Sequence, residues 1–192
     1  MNVLLFLCKG FETMEASVFI DVFGWARNDY GADIQVMTAG FEKEVVSTFG
    51  IPVIVDQLWK DICVEEYDAL VIPGGFEEFG FYEEAYDMRF MDLIKCFHKQ
   101  GKLIVSVCVG ALPIAKSGVL KGRKATTYHQ RNGYRQKELA AFGVDVIEEP
   151  VVMDDNVITS WCPSTAVEVA FLTLHQLLGE EITHTVREAM GY

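Results

Sequence analysis

The sequence predicts an α/β fold, a mostly parallel sheet covered by helices on both faces. Apolar runs of strand length alternate along the chain with stretches of helical period. The runs are continuously apolar, as expected for strands buried on both faces. Turn residues stand at several of the junctions between them.

Residues 3–8 form the first run, from Val3 to Cys8. A loop at Gly10 leads into a helix over residues 14–27. There Phe19, Val22, Phe23 and Ala26 recur at helical spacing and give one buried stripe. Residues 33–38 make the second strand. Residues 41–56 read as an antiparallel excursion with Gly40 and Gly50 at its bends. Residues 69–72 are a fully apolar strand, ended by Pro73-Gly74-Gly75. One helix is expected over residues 83–99, with Phe90, Leu93, Ile94 and Phe97 on one face and Gly101 beyond its end. Residues 103–107 are the most strand-like segment and run directly into Cys108, Gly110 and a short helix ending near Ser117. A short strand at 125–127 precedes a polar helix over 134–142. Strands follow at 144–147, 151–153 and 157–160. A helix over 164–178 is apolar nearly all round and should be buried, and a short helix closes residues 180–188.

The chain has 192 residues and is 51% hydrophobic, which suits one domain over residues 1–192 with a sizeable core. It carries 16 basic and 28 acidic residues, a net charge of −12. Such a surface repels nucleic-acid phosphates and anionic lipid, so the expected partner is a small molecule or another protein. No apolar run approaches the roughly 18 residues of a membrane span. The first eight residues lack the basic start and cleavage site of a signal peptide and read as a strand. Five cysteines, at 8, 63, 96, 108 and 162, are widely spaced, with no C-x-x-C and no zinc spacing. Free thiols in a reducing cytoplasm, with no metal, are the expectation. Cys8, Cys63 and Cys96 read as structural.

Parallel α/β sheets place their chemistry at the carboxyl ends of their strands. That rule selects Cys108, which follows a buried strand and precedes a helix. A strand turning at once into a helix makes a nucleophile elbow, and a partly exposed thiol at a helix start has a lowered pKa. The alternative is a buried core cysteine. Glu15 lies near the start of the first helix, where it either offsets the helix dipole, as Glu12 would, or faces inward as a protonated partner of the Cys108 sulfur. Gly74 and Gly75 form an ordinary tight turn or, with the Val109 amide, an oxyanion hole.

These segments resemble the ThiJ/PfpI superfamily. The resemblance rests on Lys9-Gly10 through Met14-Glu15, Tyr67-Asp68 through Gly74-Gly75, and Val107-Cys108-Val109-Gly110. It continues through Gly118 to Thr127 and Asn156 to Ser160. It implies a flavodoxin-like three-layer sandwich, similar to class I glutamine amidotransferases, and a homodimer. It also implies Cys108 as nucleophile, Glu15 as its acidic partner, and no cofactor. The protease-like branch carries His directly after its cysteine, where this chain has Val109. The deglycase branch carries His after its Thr-Thr pair. Here Tyr128 stands in that place and His129 follows one residue later. His129 serves only if the strand end shifts by one, and is otherwise a solvated loop residue. Cys162 replaces a small residue near the active site, as a packing thiol or as a resolving cysteine for Cys108. Trp161 reads as a core or dimer-contact residue.

The functional expectation is a cysteine-dependent enzyme acting on small reactive carbonyls, of glyoxalase or deglycase type. The alternatives are a non-enzymatic redox sensor with oxidisable Cys108, a peptidase or amidohydrolase, and a catalytically silent member whose acidic surface binds protein.

Overall fold

The computed structural model describes residues 1–192. The chain runs β1 (Asn2–Phe6), α1 (Thr13–Tyr30), β2 (Gln35–Gly40), β3 (Glu44–Val46), β4 (Pro52–Ile54), β5 (Gln57–Leu58) and β6 (Ala69–Ile72). It continues through α2 (Phe81–Ala85), α3 (Met88–Lys99), β7 (Leu103–Ser106), α4 (Ala111–Lys116), β8 (Lys124–Ala125) and α5 (Gln130–Ala141). The last elements are β9 (Asp145–Val146), β10 (Val151–Asp154), β11 (Val157–Ser160), α6 (Ala166–Leu178) and α7 (Glu180–Ala189).

Seven strands form the central sheet in the order β10-β11-β7-β6-β1-β2-β5. Every pairing in it is parallel except that of β10 with β11, at one edge. Phe6 aligns with Ala39, Ile72 with Ser106, and Ile158 with Val105. Helices α1, α6 and α7 contact one another, and α4 contacts both α3 and α5. The expected excursion is the antiparallel hairpin β3–β4. The apolar continuity of the strands has its predicted cause, since β1 from Val3, all of β6, and β7 from Ile104 are buried. The α1 stripe of Phe19, Val22, Phe23 and Ala26 is buried as well.

Three expectations are corrected. The helix foreseen over 83–99 is two helices, because Asp87 is extended and its carboxylate accepts from the Arg89 amide at 2.8 Å, capping a new helix start. The strand foreseen at 125–127 lies outside the main sheet. Here β8 pairs in parallel with β9, while the Thr126 amide donates to Thr159 Oγ1 at 2.9 Å and so ties this pair to β11. Cys8 is buried as expected, but Cys63 and Cys96 are exposed.

Strands β11, β7, β6 and β1 are consecutive neighbours in the sheet. All four point the same way, so the loops after them must emerge side by side. That adjacency builds the site.

Candidate active site

Cys108 follows β7 after one extended residue, Val107, and takes a left-handed backbone with φ of 55°. A side chain other than glycine's costs about 1–2 kcal/mol there, so surrounding contacts must hold the turn. Thr127 Oγ1 donates to the Cys108 carbonyl at 2.8 Å, and the Gly110 amide donates to Val107 O at 2.9 Å. Gly110 is required by close approach, since a Cβ there would lie 2.4 Å from the Ile72 carbonyl oxygen. Gly75 is equally confined, with Gly10 O at 2.3 Å from the place of a Cβ.

The Cys108 side chain is not partly exposed, as the elbow alone suggested; the residue is 9% accessible. Its thiol pKa is accordingly pushed up, first by burial and next by the charge of an ionised Glu15, while the Val109 amide acts in the opposite direction. The six-residue α4 does not overcome that desolvation. The sulfur therefore rests as a thiol and needs a base.

Glu15 supplies one. It is fully buried, and its Oε2 accepts from the Gly74 amide at 2.6 Å. Burial raises its pKa to about 8, so the carboxyl is protonated at neutral pH. Oε1 is buried without a well-formed hydrogen bond, yet the carboxyl and the Cys108 thiol are close enough to couple their ionisations. The point where a Gly74 Cβ would stand fixes the geometry. It lies 3.0 Å from Glu15 Oε2, 3.0 Å from Val109 N and 3.1 Å from Cys108 Cβ. Carboxyl, thiol and amide thus converge on one small volume.

Other expected residues fall differently. The Gly74 amide is committed to Glu15 and is withdrawn from the oxyanion hole. Gly75 and Val109 remain as candidate donors, both lining the pocket with Cys108. Tyr128, not His129, occupies the pocket wall. His129 turns away, stacked on Trp161 with ring centroids 4.2 Å apart and its Nδ1 3.5 Å from Cys162 Sγ. It is partly exposed at the start of α5 and does not line the pocket beside Cys108. Cys162 is half-buried, and burial raises its pKa too. No group of three or more His, Cys, Asp or Glu side chains is arranged to hold a metal.

The pocket holds about 100 Å³. Its walls also carry Glu12, Phe76, Glu77, Glu78, Arg131, Tyr134, Arg135 and Pro163, none of which the sequence singled out as a site residue. Tyr134 and Arg135 carried no signal of the kind that selected Cys108, because they lie on α5, beyond a strand that is not part of the main sheet.

Fold and site together define an α/β protein with a cysteine on a nucleophile elbow and a buried carboxyl behind it. The DJ-1/PfpI family model matches residues 1–176. Protein DJ-1alpha of Drosophila melanogaster is 30% identical over 192 residues, spanning 98% of this chain and 83% of that protein. Deglycase PfpI of Pyrococcus furiosus is 35% identical over 132 residues, spanning 67% of this chain and 74% of that protein. The crystal structure of Drosophila melanogaster DJ-1beta superposes with a TM-score of 0.86 at 26% identity, covering 98% of this chain and 96% of that one. The chain belongs to the DJ-1/PfpI family.

Proposed function

We propose that the protein is a cofactor-independent enzyme that converts small 2-oxoaldehydes to 2-hydroxy acids, with Cys108 as nucleophile and Glu15 as proton carrier. The observation that carries this reading is the convergence of the Cys108 thiol, the Glu15 carboxyl and the Val109 amide beside a pocket of about 100 Å³. A pocket that small suits a carbonyl compound of a few non-hydrogen atoms. Two similar family members named deglycases, from Pyrococcus furiosus and Pyrococcus abyssi, support the same class of substrate.

The chemistry needs no metal or redox partner. The sulfur bonds to the aldehyde carbon, and the thiol proton passes through Glu15 to the carbonyl oxygen, giving a hemithioacetal. Glu15, in its ionised form, next takes the proton from that carbon and returns it to the neighbouring one, while the hydroxyl proton moves to the neighbouring oxygen, leaving a 2-hydroxy thioester. Amides of Val109 and Gly75 hold the oxygen while it carries charge. Water cleaves the thioester, releasing the 2-hydroxy acid and restoring the thiol. In sum, one 2-oxoaldehyde and one water give one 2-hydroxy acid.

Peptide hydrolysis is less well supported, because no histidine lines the pocket and Val109 follows the cysteine. A redox sensor needs a readily ionised sulfur, and burial acts against that at Cys108. Five free cysteines support a reducing, cytoplasmic setting, and no helix is long and apolar enough to cross a membrane. A homodimer belongs to the same reading. Val46, Phe49, Ile51 and Ile54 expose apolar side chains on and around the β3–β4 hairpin. A monomer by sedimentation at micromolar concentration would exclude it.

Incubation with methylglyoxal tests the function. Lactate should accumulate well above the uncatalysed rate in buffer without added metal or cofactor. If no lactate forms, the reading is wrong.

A further inference from the structure

One buried charge beside Cys108 has no part in the steps above. Arg135 lies on α5, is 8% exposed, and lines the pocket together with Cys108. Its guanidinium carbon sits 4.6 Å from the Tyr82 ring centroid and 4.5 Å from that of Tyr134, so two aromatic rings fix its position. Nη1 donates to Glu138 at 2.7 Å, and Nη2 donates to Glu77 at 3.0 Å. Nε is buried with no partner.

The Nε–Nη2 edge of a guanidinium is a fork that takes one carboxylate in two parallel hydrogen bonds. Here only one prong is used. The carboxylate on it, Glu77, is 71% exposed and stands on the short turn Glu77–Phe79. A buried donor left idle beside an exposed, displaceable acid is the arrangement of a carboxylate site held by an internal stand-in. Arg131, also in the pocket wall, adds a second positive charge, while Glu12 and Glu78 oppose it.

We infer that Arg135 recognises a carboxylate on the molecule bound beside Cys108, displacing Glu77 to do so. That this carboxylate is the one borne by a 2-hydroxy acid product rests on the proposed reaction; the carboxylate site does not. The residue fixes which end of the ligand faces the sulfur and holds the acid before release.

Alkylation of Cys108 tests this without any turnover. Iodoacetate and iodoacetamide share a leaving group and nearly share a size, but only the first carries a carboxylate. Their rates at Cys108 are followed by peptide mass spectrometry on the full chain, and the ratio of the two is the readout. Arg135→Lys keeps the charge and loses the fork, and should lower the iodoacetate-to-iodoacetamide ratio about tenfold. Glu77→Gln should raise it, because the fork is freed. Glu78→Gln removes an equal charge from the same pocket without touching Arg135, and should raise it several-fold less. Glu77 and Glu78 have exposed side chains, so this comparison stands even where Arg135→Lys fails to fold. Equal effects of Glu77→Gln and Glu78→Gln would overturn the inference, as would a ratio indifferent to Arg135→Lys in a folded protein. A chain that turns over methylglyoxal yet shows a flat ratio keeps the proposed function and loses this site. The opposite result keeps the site and loses the function.

Discussion

Replacing Cys108 by serine is expected to lower methylglyoxal turnover by at least about 10³-fold while leaving the fold intact. The hydroxyl is a far weaker acid than the thiol, and the adjacent base is a carboxyl with a pKa of about 8. That base can accept a thiol proton during attack on a carbonyl, but not an alcohol proton at any useful rate. The change should be conservative for stability. Serine is smaller than cysteine, and the backbone bonds that hold the elbow, from Thr127 Oγ1 to Cys108 O and from Gly110 N to Val107 O, involve no sulfur. Steady-state lactate formation and a thermal melt check both halves. The exposed Cys96 provides the control, since Cys96→Ser should leave the rate unchanged. Retained turnover in Cys108→Ser would remove the nucleophile from the mechanism.

The second large effect runs in opposite directions for activity and stability. Glu15→Gln removes the proton carrier and should cost about 10²–10⁴-fold in rate. It should also stabilise the protein at alkaline pH. The folded carboxyl titrates at about 8, raised from an ordinary 4.5 by burial. Between those values the folded chain holds a proton that the unfolded chain releases, so stability falls as pH rises through this window. The loss is absent below pH 4.5 and complete above 8. A shift of that size corresponds to about 4–5 kcal/mol, or a Tm difference on the order of 10 °C for a chain this long. Glutamine does not titrate, and its side-chain oxygen can still accept from the Gly74 amide. The Tm of Glu15→Gln relative to the parent should therefore climb from pH 5 to pH 8.5. A gap that stays constant or shrinks over that range would show that Glu15 is not held protonated by its burial.

The same titration bears on the sulfur. Cys108 alkylation by a neutral reagent should accelerate as pH rises through about 8, where Glu15 becomes a carboxylate able to take the thiol proton. The burial that makes Glu15 a poor contributor to alkaline stability is thus what tunes it for proton transfer near neutrality.

Much of the molecule was legible before any coordinates. Continuous apolar runs occur where strands are covered on both faces, so β1, β6, β7 and the parallel class of the sheet could be read directly. Cys108 could be read because a strand passing straight into a helix has few ways to turn. The errors have local causes. Asp87 caps a helix in the middle of a run that otherwise keeps helical period, and β8 is too short to reveal that it leaves the sheet for a partner near residue 145.

What the sequence determined by itself was the order of elements, their apolar faces and the position of the thiol, because these depend on periodicity and on neighbours along the chain. Only the tertiary structure decided the state of that thiol. Burial, a property of everything folded around Cys108, reversed the pKa shift expected from a helix start. It also chose Tyr128 over His129 for the pocket wall, bound Gly74 to Glu15, and brought Arg135 from α5 to the side of the elbow. Each of these rests on the side-by-side placement of β11, β7, β6 and β1, a pairing between segments far apart in the chain, which no local pattern encodes.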